Sequence, residues 1–591
     1  MALRERVRDQ IKAEGVVVKI DWLRLENFKN LTNFEVDFSL ESERQVVIGR
    51  NGVGKSNILE SIAWIFRDLD LGEESDFEYA IKYRCRGHYV KVVSKGKSTR
   101  KPKRKGSRRE NVQRFKRTYW LIENAEEIKG KSTEEIEELF VELKESEFSK
   151  RNGATIQDDN GEIRFTDARL LPDYVFGYYS GISARFNEAF EEHERDYYDA
   201  QKNGTEVALR TMFLAKPHHS QFSLLSFFAQ EDAEAEKFLK EEFDIEHLSS
   251  VLFKLQEPYW SSTAKKNTLK NEKEDRRFWG AGGKVAPFLE SLFSNSFFPM
   301  GGSERKEISF KQTKTIETRY CFLNGKDGVK KLANKLKAKD FFSRMESTIF
   351  SDLLSLDGEG LQIRVKLKDV KTPITFKEMS EGEQQLLTII GLMRFTQQDE
   401  SLFLLDEPDT HLNPAWCLDL LKNLKDHGVD PKRSQILITT HNPLTFAGLD
   451  KHEVVIVDKN SDGSIYSYHP TSAPKGMGFQ AIFTSDFFKL RSTLDRDTLA
   501  LLDEKRELGL KEDKSDEDRK RLAELNARLG KLDFSHAARD PLYIEYIRAM
   551  TQAQKDHPKI ADAAPDNESW ETRKRIAENI ARKLAEKGAD R

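Results

Sequence analysis

The sequence predicts an α/β fold: a mixed sheet around a phosphate-binding loop, an antiparallel sheet before it, a helical insertion and a helical C-terminal extension. Three stretches predict it. Val46–Asn57 reads VVIGRNGVGKSN, an apolar run entering Gly49-x-x-x-x-Gly54-Lys55-Ser56, after which Ile58, Leu59, Ile62, Ile65 and Phe66 recur at helical spacing. Leu402–Pro408 reads LFLLDEP, an apolar strand ending on two carboxylates. Gln435–His441, QILITTH, is another, ending on a histidine.

The elements follow in order. Residues 1–15 form a charged lead-in without the apolar stretch of a secretory signal. Val16–Leu31 reads as a strand ending in a turn, and Phe34–Phe38 alternates and should pair with it. Phe77–Val93 and Arg114–Leu121 are two more strand regions. Between them lies a basic loop, residues 95–113; Lys91 to Arg117 holds 13 Lys and Arg, a segment suited to nucleic-acid phosphates. Leu171–Phe228 is rich in aromatics. Its His193, His218 and His219 lack partner ligands at metal spacing and read as satisfied core or surface histidines. Ser180, Arg185 and Gln221 are candidates for a nucleotide or interface pocket. Residues 230–345 read as mainly helical, Phe341–Leu356 as a helix and Leu361–Leu367 as a strand.

Val454–Asp458 and Ile465–Pro470 complete the sheet. Asp495-Arg496-Asp497 has the spacing of a metal-nuclease carboxylate pair, but no apolar strand precedes it, so it reads as a helix start and the chain carries no nuclease. Leu499–Leu508, Asp516–Leu532 and Trp570–Lys587 are charged helices. In the last, Ile576, Ile580 and Leu584 form a narrow stripe for docking on a partner or on the parent head. The resulting division is 1–75, 76–230, 231–358, 359–475 and 476–591.

Bulk properties bound the function. The 591 residues carry 97 basic against 100 acidic side chains, so any nucleic-acid preference must be local. Cys85, Cys321 and Cys417 are scattered, which suits a reduced, cytoplasmic setting. No apolar run approaches the ~20 residues of a membrane span.

The chemistry is read from the motifs. Backbone N–H groups of Gly49, Arg50, Asn51, Gly52, Val53, Gly54, Lys55, Ser56 and Asn57 would wrap phosphates, with Lys55 reaching the β/γ phosphates and Ser56 a Mg²⁺ ion. Asp406 would share that Mg²⁺ and Glu407 would polarise the attacking water. His441 would contact the γ-phosphate. Ser380, before a long apolar helix, would cap it with Glu383, and Ser380 and Gly382 would also meet phosphate oxygens.

Gly49–Ser56, Ser380–Gln384, Leu402–Leu412 and His441 resemble Walker A, the ABC signature, Walker B with its D-loop, and the switch histidine. Their order and wide separation resemble the SMC/RecF/OLD group of ABC-type ATPases, as does ENFKNL at Glu26–Leu31. The signature reads Ser-Glu-Gly-Glu rather than the transporters' S-G-G-Q, similar to the DNA-associated branch. The tracts YYSG, PHHSQF, Phe479–Asp495 and Phe534–Tyr543 look like restriction-associated and PtuA-like (Septu) defence ATPases. The resemblance implies an ABC-type P-loop ATPase head using ATP and Mg²⁺. It implies a homodimer, with higher assembly left open, in which Ser380, Gly382 and Glu383 act in trans on the partner's nucleotide. It implies a sensor of anti-phage defence controlling a separate HNH-type nuclease. A RecF-like DNA repair ATPase and an ATP-held scaffold with negligible turnover are the alternatives. Deleting Lys97–Arg109 is expected to weaken DNA binding and flatten its salt dependence. Titrations across a salt series check this, and an unchanged affinity would remove the loop from the mechanism.

Overall fold

The computed structural model describes residues 18–589, apart from 39–41, 43, 100–112, 154, 158–162, 166–167, 182–183, 206–208, 231, 262–275, 310–311, 356–359, 397–398, 429–432, 533–540 and 562–566. Most of the basic loop 95–113 and of the tract Phe534–Tyr543 therefore lies outside the described residues, as does the N-terminal lead-in.

The N-terminal sheet is antiparallel. It contains β1 (Lys19–Phe28), β2 (Leu31–Asp37), β4 (Tyr79–Cys85), β5 (His88–Lys97), β6 (Phe115–Ile122) and β7 (Val141–Leu143) in the order β2-β1-β4-β5-β6-β7. The expected pairing of the first two strands is present, with Leu25 opposite Phe34. A short hairpin, β8 (Thr155–Gln157) with β9 (Ile163–Phe165), follows.

The central sheet is built from β3 (Arg44–Ile48), β10 (Tyr174–Tyr179), β11 (Met212–Leu214), β17 (Ser401–Asp406), β18 (Ser434–Thr439), β19 (Val454–Lys459) and β20 (Ile465–Tyr468), in the order β11-β10-β17-β18-β3-β19-β20. All its pairings are parallel except β19 with β20. Its strands read as apolar runs because both faces are covered. Successive residues feed two different cores. Val46, Ile48, Phe403, Leu405, Ile436 and Ile438 join one. Val47, Leu402, Leu404 and Leu437 join the other, with the P-loop helix (Lys55–Leu71) and the antiparallel sheet.

Two expectations about the insertions are corrected. The segment 231–358 is not simply helical. It carries β12 (Ile245–Gln256), β13 (Met300–Ser309) and β14 (Gln312–Asn324), which form one sheet with β15 (Leu361–Leu367) and β16 (Ile374–Thr375) in the order β13-β14-β12-β15-β16. Charged residues fill the β13–β14 hairpin at the sheet edge, so it lacks the apolar run that marks a buried strand. Nor is 76–230 a separate insertion, because β10 and β11 are strands of the central sheet. A parallel neighbour can come from anywhere in the chain, and periodicity carries no information about its partner. Boundaries drawn at 76, 231 and 359 therefore cut through sheets.

Asp495 caps the helix Arg496–Leu510 by accepting from Thr498 N at 2.9 Å, which is the expected helix start. The last helix (Asn567–Ala589) lies against its own chain: Trp570 Nε1 donates to Asp486 Oδ1 at 2.9 Å and Lys574 pairs with Asp486 at 3.3 Å. Among the described residues no helix is long and apolar enough to cross a membrane.

A polar clasp fixes the antiparallel sheet to the base of the central one. Glu400 Oε2 accepts from Arg86 N at 2.9 Å and from Cys85 Sγ at 3.4 Å, at the β4–β5 turn. Asp173 Oδ2 accepts from Glu400 N at 3.0 Å, and Arg86 pairs with Asp173. Burial pushes Glu400 up from 4.5 to about 7; Arg86 opposes the rise and Asp173 adds to it. An acid raised on folding binds its proton more tightly in the folded chain. Its contribution is therefore full below the unfolded value and is lost as pH rises toward 7. Glu400→Gln should flatten the stability profile between about pH 4.5 and 7 by on the order of 3 kcal/mol, measured by denaturant unfolding across that range.

Candidate nucleotide site

The site lies where the parallel strands end. Asp406 is level with Thr439 on β18, and Thr439 with Val47 on β3. Every chain leaving that edge therefore starts its loop at the same height, the usual place for a ligand in such a sheet. β18 separates the P-loop strand from the carboxylate strand, so its own end, Thr439 to His441, lies between Lys55 and Asp406-Glu407.

Gly49 and Gly54 of the loop have close neighbours, whereas a Cβ on Gly52 would meet nothing within 4 Å. A Cβ on Gly49 would lie 2.3 Å from the Val457 carbonyl oxygen. Gly54 has φ 96°, and a Cβ there would meet Leu31 at 2.8 Å and Asn30 at 2.9 Å. Only glycine accepts this combination of left-handed backbone and close approach. Asn30, in the β1–β2 turn, also donates to Gly52 O at 2.9 Å, so ENFKNL buttresses the loop from outside.

Five of the expected residues converge. Ser56 Oγ donates to Asp406 Oδ1 at 2.9 Å, and Thr439 Oγ1 donates to the same oxygen. Asp406 is fully buried and its Oδ2 has no hydrogen-bond partner. Burial pushes its carboxyl up, against the pull of Thr439 and Ser56. Lys55 Nζ donates to Gly49 O at 2.9 Å and lies 3.8 Å from Glu407 Oε1. Burial lowers the Lys55 pKa, and Glu407 and Asp406 resist this. Glu407 Oε2 lies 2.7 Å from His441 Nδ1. Burial raises the Glu407 pKa too, opposed first by His441 and then by Lys55. Glu407 is left-handed at φ 52°, held by Glu407 N to Thr439 O at 2.9 Å and Thr410 Oγ1 to Glu407 O at 2.9 Å. A non-glycine residue in that region costs about 1–3 kcal/mol. Here the turn separates the two adjacent carboxylates, Asp406 toward Ser56 and Glu407 toward Lys55 and His441.

An orphaned buried carboxylate oxygen beside a serine hydroxyl suits a hard divalent cation with oxygen ligands. Ser56 and Asp406 are thus a fitting pair for Mg²⁺, and the glycine cradle fits a polyphosphate.

Other expected residues lie elsewhere. Arg50, Asn51 and Gly52 are exposed on the loop rim, and Val53 is buried. The Asn57 side chain donates to Asn30 Oδ1 at 2.5 Å and accepts from Arg185, which also donates to Glu60 at 3.1 Å. Ser380 and Glu383 form a capping box with each other at the start of the signature helix (Glu381–Phe395). A Cβ on Gly382 would stand 2.5 Å from His411 O, so the signature glycine is already required by the D-loop of the same chain. His193 is only half satisfied: its Nε2 lies 3.0 Å from Asp70 Oδ2, while its buried Nδ1 has no hydrogen-bond partner. His218 and His219 do meet a carboxylate, Glu346, with ligand atoms within 4.8 Å of one another. That carboxylate already accepts from Arg210 at 2.6 Å, and His219 Nδ1 accepts from Lys216 N, leaving Nε2–H to face Glu346. Burial drops His219 to about 3, so it is a neutral donor in a structural network.

Asn30, Glu60 and Thr439 also belong to the site, though none fills a motif position of its own. Asn30 and Thr439 sit inside the tracts ENFKNL and QILITTH. Glu60 is a lone acid on an apolar helix, where spacing gives no sign that Lys29 and Arg185 meet on it.

The strand order and the two carboxylates opposite a Walker A loop define a P-loop ATPase head of the ABC type. Residues 46–447, more than half of the chain, match the family described as "AAA domain, putative AbiEii toxin, Type IV TA system". The chain belongs to that family. It is 27% identical over 154 residues to the Septu protein PtuA of Bacillus mycoides (strain KBAB4), a match covering 25% of this chain and 21% of that protein. Among solved structures it is similar to the Smc head domain of Pyrococcus furiosus bound to the C-terminal domain of ScpA (15% identity, 77% of this chain and 96% of that one, TM-score 0.30). It is also similar to the recombination mediator protein RecF with ATP (14% identity, 77% and 100%, TM-score 0.24). With TM-scores this low, these likenesses add nothing to what strand order and motifs already define.

Asp406→Asn removes a carboxylate that burial disfavours. Its melting temperature without ligand should equal or exceed that of the unmodified protein. The stabilisation by saturating Mg·ATP, about 2.7 kcal/mol at a hundred times Kd, should be lost. Thermal melts with and without Mg·ATP check both halves.

Proposed function

We propose that this chain binds and hydrolyses ATP as the sensor or regulatory subunit of an anti-phage defence system, controlling a separate nuclease of HNH type. The observation that carries the hydrolytic reading is the meeting of Lys55, Ser56, Asp406, Glu407 and His441 at one sheet edge. The Septu relative supports the defence role, and the matched segment spans only about a fifth of that protein's length.

In this reading Lys55 and the loop N–H groups hold the phosphates of ATP and draw charge from them. Ser56 and Asp406 would hold Mg²⁺, which would supply charge neutralisation on those phosphates. Glu407 takes the proton of the attacking water. Its raised pKa makes it a stronger base, and His441 orients it through Oε2. His441 and then Lys55, 3.8 Å away, oppose that rise. Ser380, Gly382 and Glu383 face the nucleotide of a second copy, so the working unit is a homodimer with two shared sites. Nucleotide-driven closure presents the surface that nuclease or nucleic acid reads, and hydrolysis resets it.

Glu407→Gln should keep ATP binding, lower turnover about 10²–10⁴-fold and accumulate a closed dimer with ATP. Single-turnover kinetics and size-exclusion chromatography read the two effects. Persistent turnover would remove Glu407 as the base. Turnover strongly stimulated by DNA, with no effect of this protein on a co-expressed HNH nuclease, would favour a repair ATPase instead.

A further inference from the structure

The helices after residue 490 enclose a second cavity, about 320 Å³, which shares no residue with the nucleotide site. It lies among the loop following Arg491, the helix Arg496–Leu510, the helix Pro541–Asp556 and the start of the last helix. Four cations line it, Arg491, Arg506, Lys555 and Arg573, against two carboxylates, Asp503 and Glu507.

The carboxylates do not balance these cations. Asp503 accepts from both Nη atoms of Arg491 and, at 3.4 Å, from Arg506. Arg491 also donates to the Ala561 carbonyl at 3.2 Å, which fixes its plane. Arg573 is different. Its guanidinium lies 5.8 Å from the Trp570 ring, and its Nη1 is buried without a hydrogen-bond partner. Burial and the charge of Arg491 push the Arg573 pKa down, against Tyr546 and Asp503. Across the cavity Leu499 and Met550 are buried and apolar, with Tyr546 beside them and Leu494 exposed at the mouth.

We propose that this cavity is a ligand site for a small organic phosphate of mononucleotide size, with the phosphate on Arg573 and Lys555 and the organic part against Leu499 and Met550. The planar N–H fork of an arginine matches phosphate oxygens, and a lining of four cations against two carboxylates favours an anion over a neutral group. The volume is at the small end of ligand pockets, about 300–1,000 Å³, which admits one nucleotide and not a strand. The apolar wall gives a base or sugar something to cover, which a bare phosphate does not need. Such a ligand bridges the three helical stretches and would stabilise the C-terminal extension where it lies on the head.

The test is calorimetric titration of the full-length protein with AMP, dTMP and inorganic phosphate. It is repeated in Lys55→Ala, which separates the cavity from the P-loop. Saturable binding of a nucleoside monophosphate that persists in Lys55→Ala and weakens about tenfold or more in Arg573→Met supports the site. Lys555 is exposed, so Lys555→Glu should weaken binding similarly without any effect on folding. Inorganic phosphate binding as tightly as AMP would overturn the assignment to an organic phosphate. The proposal is overturned if none of the three saturates at millimolar concentration, or if Lys555→Glu and a folded Arg573→Met both titrate like the unmodified protein.

Discussion

The hydrogen bond from Ser56 to Asp406 joins residues 350 positions apart, and the rest of the molecule is arranged so that it forms. It requires β3 and β17 to lie parallel with one strand between them and their ends level. That geometry demands a crossover for each step, and here the crossovers contain the insertions. It also requires both faces of the sheet to be covered, which the two cores accomplish by taking alternate side chains of the same strands. The site is polar and partly buried, and its groups carry burial penalties of opposite sense: the lysine pKa is lowered while both carboxyl pKa values are raised. A cation beside the carboxylates and a polyphosphate beside the lysine would relieve both.

Much of this was legible in the sequence because the relevant constraints are local. A P-loop needs a strand, glycines at fixed spacing and a helix, and all fall within Val46–Phe66. The carboxylate pair and His441 end apolar runs, and a buried parallel strand leaves exactly such a run. The helix start at Asp495 and the capping box at Ser380 were readable for the same reason, since both depend on residues three apart.

What was missed is non-local. Nothing in YVFGYY shows that β10 pairs with β17, so Tyr174–Tyr179 read as part of an insertion. The β13–β14 hairpin is solvated and charged, and its pattern does not distinguish a strand from a polar helix. Gly382 shows the same limit in the opposite direction. Its spacing suggested phosphate contact, yet His411 O alone, 2.5 Å from where a Cβ would sit, accounts for a glycine there. A motif residue can answer to a packing constraint within one chain and to a ligand of another, and spacing alone does not separate the two.

The loop after β10 explains how the site communicates with the rest of the chain. Ser180 N donates to Asp406 O at 3.3 Å and Ser180 Oγ pairs with Thr410 Oγ1 at 3.1 Å, so this loop touches the carboxylate strand and the D-loop. A few residues on, Arg185 bonds to Asn57 and Glu60 on the P-loop helix. The helix that follows (Asn187–Lys202) reaches the second insertion, with Tyr197 Oη 3.0 Å from Ser347 Oγ and Tyr198 Oη donating to Asp352 at 3.0 Å. Each contact is a hydrogen bond, so the carboxylate strand, the P-loop helix and the segment after residue 340 are joined through this part of the chain. The same contacts that hold the nucleotide site in shape couple it to the part of the chain most distant in sequence logic from ATP chemistry.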